Sequence, residues 1–207
     1  MSTTQVVDKP GKRERIKAEN RTAILAAARA VFGEIGYEAA TVRDVIRRTN
    51  LASGTFYNYF RSKEELFNAL ASEYVERFHP ILAKVREDST SLEDYIRGAY
   101  LAYFSYVAEE HQTEIHVDVN NSPSAAIVRA DPPEVRIVFE QIRQDVEDML
   151  NEDAKKSVDL DYLAGAAVGV GREVGLLMME REPADVAGAA KFAAEFFLDG
   201  LQSARSG

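Results

Sequence analysis

Apolar residues recur every three or four positions along almost the whole 207-residue chain, the spacing of helices with one buried face, and few segments alternate as strands do. Ala and Leu are common while Gly and Pro are sparse, so the chain is predicted to be all-α. The first helix is expected from about Arg13 to Glu34, with Ile24, Ala28, Val31, Phe32 and Ile35 on its apolar face and Gly36 as its C-terminal cap. Thr41-Val42-Arg43-Asp44 fits a capping box, in which a hydroxyl accepts a free backbone N–H and the carboxylate reaches back, and it opens a short helix ending near Arg48. Thr49-Asn50-Leu51-Ala52 interrupts the pattern, and Asn50 tolerates the left-handed conformation that a tight interhelical turn needs.

Another short helix is predicted over Ser53 to Tyr59. Ser62-Lys63-Glu64-Glu65 is a second capping box, opening a long fourth helix expected to stop near His79, because Pro80 disfavours helical geometry in the residue before it. Further helices are expected at about 91–110, 133–152, 158–181 and 184–203, and 111–132 is the least regular stretch.

Charge changes this picture. The formal net charge is -9, yet residues 1–63 hold 12 Lys and Arg against 6 Asp and Glu, while the remainder holds 13 against 28. A basic end on an acidic body suggests that the N-terminal part faces an anionic partner. Cations at Lys12, Arg13, Arg15, Lys17 and Arg21 oppose the dipole of the first helix, so local helix stability does not account for them. Cysteine is absent, which excludes disulfide frameworks, thiolate metal sites and cysteine nucleophiles. The N-terminus has no apolar signal-like core and no run approaches about 18 consecutive apolar residues, so a soluble cytoplasmic protein with no membrane partner is expected.

Two short helices joined by a tight turn and packed on a longer one meet the physical requirements of a helix-turn-helix, whose second helix enters the DNA major groove. Phe56 and Phe60, four residues apart, can anchor that second helix, leaving Ser53, Thr55, Tyr57, Asn58 and Tyr59 toward the exposed side. Gly54 lets backbone approach the DNA surface. Ser, Gly, Thr, Asn and Tyr are weak helix formers, so this face suggests contact rather than helix propensity.

Residues from about Arg21 to Leu70 resemble the DNA-binding domain of the TetR family of repressors. The resemblance is carried by Ala27-Ala-Arg-Ala-Val-Phe-Gly-Glu-Ile-Gly-Tyr37, by Thr41-Val-Arg-Asp-Val45, and by Ser53-Gly-Thr-Phe-Tyr-Asn-Tyr-Phe-Arg-Ser-Lys-Glu-Glu-Leu66, in order and at the right spacing. It implies an N-terminal three-helix DNA-binding domain with a helix-turn-helix and a larger C-terminal helical domain for ligand binding and dimerisation. The expected divisions are a basic flexible arm at 1–18, the DNA-binding domain at 19–65 and the effector and dimerisation domain at 66–207. By the same resemblance Thr41 binds a backbone phosphate, and Arg43 reaches a phosphate or base edge. Ser53, Gly54 and Thr55 face bases, Tyr57, Asn58 and Tyr59 touch phosphates or bases, and Lys63 holds a further phosphate. Many relatives carry Gly at the position of Asn50 and Lys at that of Ser53, so a cationic base contact common in the family is missing here, which bears on the operator sequence more than on the act of binding.

The last two helices hold many small residues, including Gly165, Gly169, Gly171 and Gly175 in one and Gly188, Ala190, Ala193 and Ala194 in the other. Close helix–helix approach is the reason such residues suggest. A four-helix bundle across a two-fold axis, as in the family, would place Gly169, Leu176, Phe192, Phe196 and Phe197 in a homodimer interface; an intramolecular helix pair is the simpler reading. Two recognition helices related by symmetry match a palindromic operator of double-stranded DNA. In the middle region Phe78, Tyr100, Tyr103, Phe104 and Phe139, with His116, Asn120, Arg143 and Arg172, are candidates to line an apolar small-molecule site. Aromatics at helical spacing are also ordinary core.

The function expected is that of a repressor released by a small, largely apolar effector. A helical small-molecule carrier or an enzyme with an aromatic-lined cavity is the alternative, and a sequence-indifferent architectural DNA protein is disfavoured by the acidic body. No phosphate-cradling glycine loop or nucleophile elbow occurs, and His111 and His116 lack metal-binding helical spacing, so neither catalytic nor metal residues nor a cofactor are expected.

Overall fold

The computed structural model describes residues 11–113 and 135–206, in which nine helices and no strands occur. They are α1 (Lys12–Ile35), α2 (Val42–Arg48), α3 (Ser53–Tyr57), α4 (Lys63–Asp88), α5 (Leu92–Thr113), α6 (Val135–Met149), α7 (Glu152–Ser157), α8 (Leu160–Met179) and α9 (Val186–Ser206). The all-α expectation agrees with this architecture.

Local chemistry sets the first boundaries. Gly36 ends α1 at φ 79, a conformation L side chains avoid, and its N–H donates to the Phe32 carbonyl at 2.9 Å. Thr41 caps α2 as expected, with its hydroxyl accepting from the Asp44 N–H at 3.3 Å and the Asp44 carboxylate accepting from the Thr41 N–H at 3.0 Å. Ser62 caps α4 by accepting from the Glu65 N–H at 3.1 Å. Between α2 and α3 the turn is closed by Thr49, whose hydroxyl donates to the Ile46 carbonyl at 2.9 Å and accepts from the Leu51 N–H at 3.3 Å. Residues 12–18, assigned to an arm from the sequence, form the first turns of α1.

Pro80 does not end α4, which runs on to Asp88. Pro80 and Glu76, whose carbonyl loses its helical donor, are both exposed, so water can satisfy that carbonyl. Tyr74, Val75, Phe78 and Leu82, all buried, hold the helix on its neighbours on either side of the proline. Tertiary burial therefore overrides the local cost of about 3 kcal/mol. The sequence reading also missed α7, although Asn151 caps it by accepting from the Ala154 N–H at 2.9 Å.

One continuous core joins the two ends of the molecule. Around Ile24, Val31, Phe32, Val45, Phe56 and Leu66 it holds α1 to α3 against the start of α4, and it continues through Phe78, Tyr95 and Phe104 into the C-terminal helices. Helix α4 packs on α1, α5 and α6, while α5 packs on α4, α8 and α9, so α4 is shared by both ends. Glu73 of α4 adds ion pairs to Arg21 at 3.2 Å and Arg29 at 3.5 Å of α1.

Helix α8 is the one described helix with the length and average apolarity of a membrane span. It also carries Arg172 and Glu173 mid-helix and lays Gly171 and Gly175 against α5, where a Cβ would stand 3.4–3.6 Å from the rings of Tyr100, Tyr103 and Phe104. These two glycines serve packing within the chain, which is the simpler of the two readings of the small-residue pattern.

Candidate nucleic-acid interface and internal cavity

The sequence Ala52 to Phe60 builds a short helix with two opposite sides. Phe56 and Phe60 are buried with ring centroids 6.3 Å apart, anchoring α3 to the core. Ser53, Gly54, Tyr57 and Asn58 are exposed, and Thr55 is half-buried. No atom of the protein would lie within 4 Å of a Cβ added at Gly54, so the backbone there is open to an approaching surface. Tyr57 is 52% exposed with its ring edge-on to Phe56, so half of its surface is available to a partner. Tyr59 turns the other way: it packs against the core and its hydroxyl accepts from Asn20 Nδ2 at 3.2 Å. Tyr37 packs between Phe32 and Phe67.

Cations surround this face. Arg43 on α2 and Arg61 before α4 are exposed and have no carboxylate partner among the described residues, and the same holds for Lys12, Arg13 and Lys17 at the start of α1. Arg48 and Arg47 differ, because Glu34 and Asp44 pair with them. Thr41 is exposed, but its hydroxyl proton is directed to Asp44 Oδ2 at 2.5 Å. Those hydrogen bonds from the Thr41 hydroxyl and backbone hold the Asp44 carboxyl below its ordinary pKa. Lys63 is less free than the sequence suggests. Its ammonium donates to the carbonyls of Tyr37 at 2.8 Å and Glu38 at 3.2 Å and lies 4.4 Å from the Tyr37 ring centre, tying α4 to the loop before α2. One of its three N–H donors remains for a phosphate.

In the C-terminal body a cavity of about 110 Å³ lies between four helices, several times the space of about 10–15 Å³ that one water needs on the same measure. Helix α4 contributes Tyr74, Val75, Phe78 and Leu82; α5 contributes Tyr95, Ile96, Ala99, Tyr100 and Tyr103; α6 contributes Val138 and Ile142; and α8 contributes Ala167, Val168, Gly171 and Arg172. Four of the sequence candidates meet here: Phe78, Tyr100, Tyr103 and Arg172. Burial pushes the phenols of Tyr95, Tyr100 and Tyr103 well above their ordinary pKa, so they stay neutral. Tyr95 donates to Asp145 at 2.8 Å and Tyr100 to the Ala167 carbonyl at 3.1 Å. Asp145, the one buried charged residue among the described residues, is in turn pushed above the usual carboxylate range by desolvation.

The remaining candidates lie elsewhere. Phe104 is fully buried, stacked on Tyr100 and tilted against Tyr103, behind the cavity wall. Arg143 faces outward in ion pairs with Asp161 at 2.8 Å and Glu147 at 3.2 Å. Phe139 lies over Gly165, away from the lining. His116 and Asn120 fall outside the described residues. The aliphatic lining was missed because attention to aromatics passes over it, although the pairs Tyr95/Ile96, Ala99/Tyr100 and Tyr103 mark one face of α5. Among the described residues no cluster of His, Asp and Glu is arranged to hold a metal ion.

On the outer side of α8 and α9, Leu177, Phe192 and Phe196 are 58%, 59% and 61% exposed. Phe192 and Phe196 stack 6.1 Å apart, and Gly200 follows one turn on with open space around it. Gly169 likewise faces open space. Leu176 is half-buried against the chain's own core, and Phe197 is buried there with its ring 6.3 Å from Tyr100, so Phe197 belongs to the monomer's interior.

Residues 24–70 match the family described as bacterial regulatory proteins, tetR family. The match takes in 47 of the 207 residues and shows what the N-terminal part of the chain is similar to. The chain is 34% identical to the transcriptional repressor ComR of Escherichia coli K12 over 106 residues, 51% of this chain and 48% of ComR. It is 26% identical to the repressor KstR2 of Mycolicibacterium smegmatis, over 49% of this chain and 50% of that one. The alignments thus span about half the length of these relatives. An uncharacterised regulator of Bacillus subtilis, YhgD, matches at 25% over 70% of this chain and 77% of its own. The fold of the fatty acid degradation regulator FadR from Bacillus halodurans superposes with a TM-score of 0.66 at 20% identity, covering 94% of this chain and 98% of that one. FadR from Bacillus subtilis, solved in complex with stearoyl-CoA, gives a TM-score of 0.63 at 18% identity, over 86% and 98%.

Proposed function

We propose that this protein is a ligand-responsive transcriptional repressor of the bacterial cytoplasm, which binds a palindromic operator as a homodimer and is released when a small, largely apolar molecule enters the cavity. The observation that carries the reading is the double use of α4: its first turns close the DNA-binding domain, and further along it walls the cavity. A molecule that displaces Phe78 or Leu82 pushes on the helix to which α1 is tied through Glu73. Release is then a population shift toward a spacing of recognition helices that no longer fits successive major grooves.

Ser53, Gly54 and Thr55 are assigned to base edges, and Tyr57, Asn58, Arg43 and Thr41 to phosphates with occasional base contact. Lys63 uses its remaining donor for a phosphate, and Tyr59 acts chiefly by holding α3 on α1. The unpaired cations at the start of α1 add phosphate contacts. Leu177, Phe192 and Phe196 form the centre of the dimer interface, with Gly169 and Gly200 allowing close approach; an apolar patch this exposed supports burial against a second copy. The repressor assignment draws on ComR and KstR2, which are named repressors. No catalytic role is assigned: among the described residues that line the cavity no nucleophile is paired with a base.

Selection of bound sequences from a random DNA pool tests this reading. Enrichment of a palindrome by the wild type and its loss in Tyr57→Ala are expected; no enrichment at low salt would sink the reading in favour of a ligand carrier.

A further inference from the structure

Among the described residues the wall of the cavity has one charged member, Arg172, and no carboxylate lines the same space. Its Nε donates to Glu173 at 3.1 Å, and Glu173 is directed outward at 65% exposure. The four N–H donors of the two terminal nitrogens have no acceptor among the described residues. Close by is Tyr103, whose phenol feels the Arg172 charge and whose hydroxyl, unlike those of Tyr95 and Tyr100, has no hydrogen-bond partner among the described residues.

We propose that the cavity takes an amphipathic molecule with one anionic group, the anion seated between the Arg172 guanidinium and the Tyr103 hydroxyl and the apolar body running toward Tyr95. The proposal rests on the effector-binding reading above and names the chemistry of that effector. A guanidinium presents paired donors that match the two oxygens of a carboxylate or phosphate. A cationic ligand would meet only repulsion from Arg172, and a neutral apolar one would cover the guanidinium without replacing its water.

The geometry orients the ligand. Helices α4 and α5 run antiparallel, with Phe78 against Tyr103 at 5.6 Å between ring centres and Tyr74 against Tyr106 at 4.8 Å. The Tyr103 end therefore lies toward the DNA-binding domain and the Tyr95 end away from it. The two tyrosines are eight residues apart, about 12 Å along the helix axis at ~1.5 Å per residue, which sets the scale of the apolar body. The anionic head thus sits beside Phe78, on the stretch of α4 nearest the DNA-binding domain.

Calorimetric titration of the full-length protein with decanoate, decyl phosphate, decanol and decylamine decides the matter. Decanoate or decyl phosphate should bind at least ten-fold more tightly than decanol, with decylamine weakest, and the better anion distinguishes carboxylate from phosphate. Arg172→Leu should lower anion affinity at least ten-fold and leave decanol unchanged; Arg172→Lys should keep part of the preference, and Tyr103→Phe should lose less than Arg172→Leu. Equal affinity for decanol and both anions in the wild type would overturn the proposal, as would a preference that survives in Arg172→Leu. If Arg172→Leu fails to fold, the Arg172→Lys and Tyr103→Phe titrations still decide. Absence of binding by all four ligands overturns the ligand class, while DNA selection by the same preparation shows separately whether the regulator reading stands.

Discussion

The two ends of this molecule use aromatic residues in opposite ways. In the DNA-binding domain Phe56 and Phe60 are sunk into the core so that a short helix can hold Tyr57 out to solvent. In the C-terminal body Phe78, Tyr100 and Tyr103 stop short of filling the space between α4, α5, α6 and α8, and a cavity remains. The first arrangement presents a rigid face to a partner outside; the second keeps room for a partner within. Helix α4 belongs to both, so packing changes in the cavity have a direct route to the outward face.

Substitutions should separate the two ends. Removing a ring behind the cavity wall has the largest expected effect: Phe104→Ala should cost about 3–5 kcal/mol in chemical denaturation, because the site is fully buried and walled by stiff neighbours. Phe196→Glu places charge in the exposed patch of α9 and should leave the fold of one chain intact. It should convert the protein to monomers in sedimentation and weaken binding to a palindrome on the order of 100-fold, the loss expected when two half-sites are no longer read together. Tyr57→Ala should reduce DNA affinity about ten-fold, roughly 1.4 kcal/mol, with an unchanged melting temperature, since half of that side chain is already in water. Smallest is Thr41→Ala, which should cost about 1 kcal/mol of stability through the lost cap, whereas Thr41→Ser should restore it. A melting temperature that falls with Tyr57→Ala would show that the outward face is part of the core after all.

The same contrast explains what could be read in the sequence. Boundaries in the DNA-binding domain come from contacts within a few residues: the caps at Gly36, Thr41 and Ser62 lie where their motifs predict, and Phe56 and Phe60 are buried as their spacing implies. The body depends on distant partners. Pro80 is tolerated because of what packs beside it, and Phe197 turns inward because Tyr100, 97 positions away in sequence, receives it. Arg143 and Arg172 look alike in sequence, yet Asp161 draws one to the surface while the other lines the cavity. Lys63 was visible as a helix-start cation, but the carbonyls of Tyr37 and Glu38 that hold it are brought near only by the packing of α1 against α4.

The central claim is that the α2–α3 face reads DNA sequence while the body controls it from α4. Fluorescence anisotropy with a palindrome recovered by selection, against a scrambled duplex of the same length, tests this most directly. The account predicts at least a thousand-fold preference for the palindrome, a steep fall of affinity with salt, and weakening of palindrome binding when the cavity ligand is added. Equal affinity for the two duplexes, unmoved by ligand, would contradict it.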